Sequence, residues 1–401
     1  MTRTLSRRVE GFGTTIFSEF SALAARSGAI NLGQGFPDFD GPDAVREAAV
    51  EALRGGVNQY AQSPGAPSLR RAIAQHAQRF HGHAVDADTM VTVTSGATEA
   101  LLAAILGLVD PGEEVVLFEP AYDSYAASVL MAGAVPRYVR LHPPDAAHPQ
   151  WWYAPDALRR AFSPRTRLVV VNTPHNPTGK VFTRQELEEL GALCEEFDAL
   201  LLSDEVYEHL VYAPARHVRP ATLPALAPRT VTVSSAGKTF SFTGWKVGWA
   251  IAPPPLRDAV QRAHQFITFA TASPLQEAVA TALALPDAFF AELAEGYRAR
   301  RDAALGALTK AGLHPYVPEG SYFILADLSR LGVHEDVHFC RWLTTEVKVA
   351  AIPLSPFYGE AARERPPALA RFAFCKTDEV LAEAGRRLAK GLAQGARGPQ
   401  Q

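Results

Sequence analysis

Lys238 stands in the run Ser234-Ser235-Ala236-Gly237-Lys238-Thr239-Phe240, and Lys246 follows in Thr243-Gly244-Trp245-Lys246-Val247-Gly248. A β-rich stretch, Arg229 to Val233, delivers Lys238 to a glycine-containing bend. A lysine so placed can act as a nucleophile and proton carrier once its amine is neutral, which burial and a neighbouring cation both favour. Lys246 is a candidate for that cation, and more plainly a holder of an anionic group. Taken alone, Lys238 could equally be a solvated surface charge. Gly237-Lys238-Thr239 also mimics the end of a phosphate-binding P-loop, but that motif needs glycine where Thr232 stands, so this reading fails.

Other segments supply matching groups. Asn172-Thr173-Pro174-His175-Asn176-Pro177-Thr178-Gly179 follows an apolar strand, although such clusters are often only turns. Leu202-Ser203-Asp204-Glu205-Val206-Tyr207 ends the next one. An acid at the end of an apolar strand is costly unless it meets a cation. Thr94-Ser95-Gly96-Ala97-Thr98-Glu99-Ala100 reads as a strand-to-helix turn whose free N–H groups suit an anion. A capped helix start explains it equally well. Ser235 and Lys246 would add a hydroxyl and a charge. Tyr122 is placed to stack on a flat ligand, or is an ordinary loop aromatic. Arg371 alternates with apolar residues in Leu369-Ala370-Arg371-Phe372-Ala373-Phe374. A bidentate pair with a carboxylate explains it economically; a structural pair with an aspartate is the alternative.

These residues fall at the ends of short apolar runs that alternate with helical patterns from about residue 90 to 250. Val91 to Thr94, Glu114 to Phe118, Arg167 to Val171, Ala199 to Leu202, Thr230 to Val233 and Val247 to Ile251 read as strands. The alternation predicts an α/β fold, a mostly parallel sheet sandwiched by helices. Ligands in such sheets bind beyond the strand ends. After Pro286 a long helical pattern, Asp287 to Ala311, leads into shorter strands at Tyr322 to Ala326, Ala350 to Pro353 and Ala370 to Cys375, then a helix from about Thr377 to Leu392. This reads as a smaller α+β domain.

The chain has 401 residues, 47% hydrophobic and 20% charged, with net charge −3. This is ordinary for a globular enzyme and favours neither nucleic acid nor membrane as partner. No apolar run is long enough to span a bilayer, and the N-terminus lacks a signal-peptide stretch. Cys194, Cys340 and Cys375 show no metal or disulfide spacing, so no metal is expected and a cytoplasmic location is.

From about residue 10 to 393 the chain resembles class I/II aminotransferases dependent on pyridoxal 5'-phosphate (PLP). It is most similar to the branch holding methionine and kynurenine/glutamine aminotransferases. The resemblance rests on Asn31-Leu32-Gly33-Gln34-Gly35-Phe36-Pro37-Asp38-Phe39, on the Asn172, Ser203, Lys238 and Thr243 segments, and on Gly13-Thr14-Thr15-Ile16-Phe17. It implies the PLP-dependent transferase fold, with a large domain at 45–290 and a small domain from 1–44 and 291–393; the tail at 394–401, Gly/Gln/Pro-rich, reads as disordered from its composition. It implies that Lys238 links to PLP, that Asp204 meets the protonated ring nitrogen, and that Asn176 and Tyr207 meet the phenolic oxygen. Tyr122 would stack on the ring, and Gly96, Ala97, Ser235 and Lys246 would hold the phosphate. Tyr60 would reach the phosphate of a neighbouring subunit in a homodimer. Gly35, Asn176 and Arg371 would meet the substrate carboxylate, and Phe17, Phe269, Tyr322 and Phe357 would line the side-chain pocket. Many aminotransferases carry arginine where Lys246 stands; lysine gives a point charge rather than a fork.

The expected reaction is ping-pong transamination between an uncharged or aromatic amino acid and a 2-oxo acid. Thr98 stands where one group of aspartate aminotransferases has a lysine, which argues against a dicarboxylate donor. An aspartate-type enzyme and a cysteine-conjugate β-lyase at the same site remain alternatives. A non-catalytic effector-binding protein would need an attached DNA-binding module, for which the segment before Asn31 leaves no room.

Overall fold

The computed structural model describes residues 5–359 and 366–395; the expected tail at 394–401 lies almost wholly outside them. After a helix at Ile16–Ser27, capped by Thr15, comes the short strand β1 (Ile30–Asn31). Then follow β2 (Val91–Thr94), β3 (Glu114–Glu119), β4 (Val135–Arg140), β5 (Thr166–Asn172), β6 (Leu200–Asp204), β7 (Thr230–Ser235) and β8 (Gly248–Ile251). These seven form one sheet in the order β2-β8-β7-β6-β5-β3-β4. All pairings are parallel except those of β8, which runs antiparallel to both neighbours.

The central strands β5 and β6 carry the apolar runs Leu168 to Val171 and Leu200 to Leu202 because both faces are covered, while β7 alternates threonine with valine. In β5, Val169 and Val171 pack into one core cluster while Leu168 and Val170 pack into another on the opposite face. Each fully buried side chain of this kind contributes about 1.5–3 kcal/mol. A Thr183–Glu186 capping box starts the helix Arg184–Glu196, which fixes the entry into β6.

The C-terminal part adds β9 (His314–Pro315), β10 (Phe323–Asp327), β11 (Val349–Ala350), β12 (Ile352–Pro353) and β13 (Leu369–Ala373). Four of them form an antiparallel sheet, β12-β13-β10-β9, while β11 pairs in parallel with β1. The strand expected over Ala350 to Pro353 is thus two pieces in two sheets. The edge strand β4 was not foreseen; its exposed alternate residues mute the apolar signal.

Register brings the strand ends together. Asn172 pairs with Asp204, and Ser235 and Thr94 both pair with Gly248. Reversing β8 therefore places Lys246, just before its start, beside the ends of β2 and β7. Among the described residues no helix is long and apolar enough to cross a membrane.

Candidate active site

The strand ends open into a cavity of about 1860 Å³. Its walls include Gly35, Gly96, Ala97, Tyr122, Asn176, Asp204, Tyr207, Ser235, Lys238, Lys246 and Arg371, together with Phe17 and Phe357. Residues from nine separate segments of sequence thus converge on one space.

Lys238 lies in a single helical turn, Ala236–Thr239, directly after β7. Its Nζ donates to the carbonyl of Gly35 at 3.3 Å. Burial lowers its pKa to about 8, while Cys375 and Asp204 oppose the shift and Arg371 and Lys246 add to it. Near neutral pH a useful fraction of this amine is therefore free of its proton.

Asp204 is buried at the end of β6. Its Oδ2 accepts from the Tyr125 hydroxyl at 2.7 Å and its Oδ1 from the Val206 N–H at 3.3 Å. Burial raises its pKa to about 6, with Tyr125, Val206 and Lys238 pulling the other way. A carboxyl so poised ionises fully when a cation is set against it.

Behind Asp204 and Tyr207, the other face of the same turn is locked by charge. Glu205 meets His217 at 2.9 Å and Arg219 at 3.0 Å, and Glu208 meets His81 at 2.7 Å, Ser234 at 2.7 Å and Arg219. His76, Glu208 and His209 place ligand-type atoms within 4.8 Å of one another, a spacing not foreseen in the sequence. The two imidazoles bond each other directly, Nε2 to Nε2 at 2.8 Å, and Arg219 supplies the cation.

Arg371 sits on the inner strand β13 and is only 1% exposed. One terminal nitrogen donates to Asn176 Oδ1 at 2.7 Å and the other to the Gly33 carbonyl at 2.9 Å. Its Nε has no partner among the described residues. No carboxylate pairs with it there, and burial lowers its pKa to about 10. A buried guanidinium without a counter-ion is a site waiting for an anion. Asn176 spends its oxygen on Arg371, so its NH₂ is the end left to donate. Gly35 must be glycine here: a Cβ would lie 2.7 Å from the ring of Phe323.

The turn before the helix Gly96–Leu108 presents the backbone of Gly96 and Ala97 to the cavity. Gly96 has φ +75°, and a Cβ on it would come within 3.2 Å of Lys246 Nζ. Lys246 is exposed and its Nζ donates to Thr98 Oγ1 at 3.4 Å. Helix N–H groups, a hydroxyl at Ser235 and an ammonium therefore face one end of the cavity, a set of donors suited to a phosphate.

Two expected residues lie elsewhere in this chain. Tyr60 is 84% exposed and Phe269 47%, and their rings meet edge-on at 5.4 Å away from the cavity walls. Tyr322 is fully buried beneath the wall; it donates to the Gly35 carbonyl at 2.5 Å and packs edge-on against Tyr207. Phe323 takes the wall position, with its ring 4.0 Å from the Arg371 guanidinium. Tyr125, which the sequence reading passed over, could have been found as the residue one helical turn after Tyr122.

The family model for aminotransferase class I and II matches residues 27–388. The chain belongs to that family. Its cofactor is PLP, and the residues present fit that group: a lowered-pKa lysine, an acid at the strand end and an anion pocket with no carboxylate in it. A probable N-succinyldiaminopimelate aminotransferase of Mycobacterium tuberculosis is 47% identical over 95% of this aminotransferase and 97% of its own length. A solved structure of the N-succinyldiaminopimelate enzyme from that organism superposes with TM-score 0.92 over 97% of this chain and 100% of that one, at 47% identity. The methionine aminotransferase of Escherichia coli is 43% identical over 94% of this chain and 95% of its own.

Proposed function

We propose that this aminotransferase moves the amino group of an uncharged or aromatic amino acid to a 2-oxo acid by a ping-pong mechanism. The observation that carries this reading is the shared cavity of Lys238, Asp204 and a carboxylate-free Arg371. PLP, when bound, supplies the electron sink that makes the α-proton of an amino acid labile. Arg371 binds the α-carboxylate with its Nε and a terminal nitrogen, and Asn176 holds the guanidinium in place. Lys238 would accept the α-proton at Nζ and pass it to the cofactor side rather than back to the α-carbon. Asp204 would stay ionised as partner of the ring nitrogen, and Tyr207 and Asn176 would donate to the phenolic oxygen. Tyr122 would cover the ring, and Gly96, Ala97, Ser235 and Lys246 would hold the phosphate.

We read residues 45–290 as the large domain and 1–44 with 291–393 as the small one, in a cytoplasmic homodimer. Exposed Tyr60, Phe266 and Phe269 support the dimer, because clustered exposed aromatics are costly unless a partner covers them. Tyr60 and Phe269 would then serve the neighbouring subunit's site.

Phe17 and Phe357, packed edge-on at 5.6 Å, make the inner wall aromatic, which suits methionine, aromatic, glutamine or kynurenine side chains. A second reading is a donor with a distal carboxylate, such as N-succinyldiaminopimelate. The 47% identical Mycobacterium relative and the arginines Arg137 and Arg160 on the outer cavity wall favour it. Steady-state kcat/KM for methionine, phenylalanine, kynurenine, glutamine, N-succinyldiaminopimelate and aspartate with 2-oxoglutarate decides between them. Absence of exchange with every donor would refute the function itself. Release of pyruvate and ammonia from a cysteine conjugate measures β-elimination at the same site.

A further inference from the structure

Glu99 lies in the first turn of the helix that starts at Gly96, and it is buried. Its Oε2 accepts the Ser95 backbone N–H, so a carboxylate sits one residue from the N–H groups that face the anion pocket. A buried negative charge there opposes the binding of a phosphate. His264, on the helix Pro254–Ile267, answers it: Nδ1 meets Glu99 Oε1 at 2.6 Å, and the imidazole is 0% exposed.

The other ring nitrogen fixes the proton count. Nε2 lies 2.9 Å from the carbonyl of Ser63. A carbonyl only accepts, so Nε2 carries a hydrogen. One further proton then lies between Nδ1 and Glu99, and the pair as a whole is neutral. Ser63 belongs to the segment that carries Tyr60. One turn earlier on the His264 helix, Gln261 donates to Ser63 Oγ at 2.8 Å. The segment is also held at Gln59, whose carbonyl accepts from Ser273 Oγ at 2.6 Å, and just beyond it at Ala66, which donates to Gln276 at 2.7 Å.

We propose that His264 is a positioning residue that cancels the charge of Glu99 beneath the phosphate pocket and tethers the Tyr60 segment to that pocket through Ser63. One imidazole thereby links the cofactor-phosphate turn to the segment proposed to cross to the neighbouring subunit. The proposal rests on the reading that the Gly96 turn holds the PLP phosphate.

The test follows PLP release from purified holoenzyme after dilution, by cofactor absorbance, without reference to turnover. His264→Leu leaves Glu99 buried without its proton partner, and release should quicken by about tenfold or more. Adding Glu99→Gln removes the repelling charge, so the double variant should hold PLP within about threefold of the parent. A purely structural role would make the double variant as leaky as the single one or worse, and that result overturns the charge argument, as does parental retention in His264→Leu. Amide hydrogen exchange over residues 58–65 should rise in His264→Leu and in the double variant alike; unchanged protection overturns the tether. Should His264→Leu fail to fold, His264→Gln, which keeps one donor, takes its place in the same comparison. A holoenzyme that retains PLP yet transfers no amino group would count against the proposed function and leave this inference standing.

Discussion

The Tyr125 hydroxyl donates to Asp204 Oδ2 across 2.7 Å, with both side chains buried. Burial raises the Asp204 pKa to about 6, and this bond is the first of the opposing pulls. The chemistry requires the ionised form, which exists above the pKa and is lost as pH falls through it. Tyr125→Phe removes a donor to a charged acceptor, an effect of about 1.5–3 kcal/mol. In the cofactor-free protein, where no ring nitrogen pairs with it, the Asp204 titration should therefore move up by about one to two pH units. An unmoved carboxyl titration, followed by NMR on the cofactor-free protein, would remove Tyr125 from this role.

Lys238 is the second pH-sensitive group. Only its neutral amine can accept a proton, and burial lowers its pKa to about 8. The competent fraction therefore grows as pH rises through that value, and kcat should climb and level off above about pH 9. Lys246 contributes to the lowering, so Lys246→Met should shift the limb upward while weakening PLP retention. Lys238→Ala should abolish both transamination and borohydride fixation of the cofactor; survival of either contradicts the assignment.

The Leu/Val runs of β5 and β6 and the valine–threonine alternation of β2 and β7 made the large sheet legible, because strands buried on both faces are built mainly from apolar and β-branched residues. The convergence of Lys238, Asp204, Asn176, Tyr207 and Arg371 on one cavity was legible for a related reason. Each is a polar residue at a strand end or in an apolar strand that packing alone does not explain. Tyr125 and His264 were not legible. Each sits on a helix as one more buried side chain, and its meaning comes from a partner far away in sequence, Asp204 or Glu99. Phe269 was expected in the side-chain pocket and lies instead on the surface beside Tyr60, where a single chain gives it no site to serve. The paired face of Glu205 and Glu208 was hidden because alternation along Asp204 to Glu208 says which residues share a side, not which charges await them.

Arg371 should decide carboxylate recognition. Arg371→Lys keeps the charge and loses the fork and the Nε donor. KM for methionine should rise about tenfold to hundredfold, with a smaller change in kcat. The matching amine that lacks the carboxylate should react equally poorly with variant and parent. An equal loss for both compounds would show that Arg371 only supports the fold.

Tyr60 tests the shared site. Lys238→Ala chains are dead in their own cavity, and Tyr60→Phe chains should bind PLP weakly in their partner's. Mixed dimers should concentrate both defects in one cavity and leave the other intact. Mixing should thus restore activity toward about a quarter of the parental value, given random exchange into half mixed dimers with one sound site each. Activity fixed at the unmixed average after subunit exchange would mean that Tyr60 serves its own chain, or none.

The inner aromatic wall governs the last prediction. Phe17 packs edge-on against Phe357, lies 6.3 Å from Tyr122 and places its ring 4.9 Å from the Arg371 guanidinium. A side chain bound along this wall gains apolar and sulfur–aromatic contact, while a carboxylate there would be desolvated without a partner. Methionine and phenylalanine should therefore exceed aspartate in kcat/KM in the parent protein. Phe17→Ala removes most of one ring's contact, about 2–3 kcal/mol. It should cost the apolar donors about thirtyfold or more and aspartate much less, narrowing the preference. An aspartate rate that leads the set in the parent, or falls in step with methionine in the variant, would show that this wall does not select the donor.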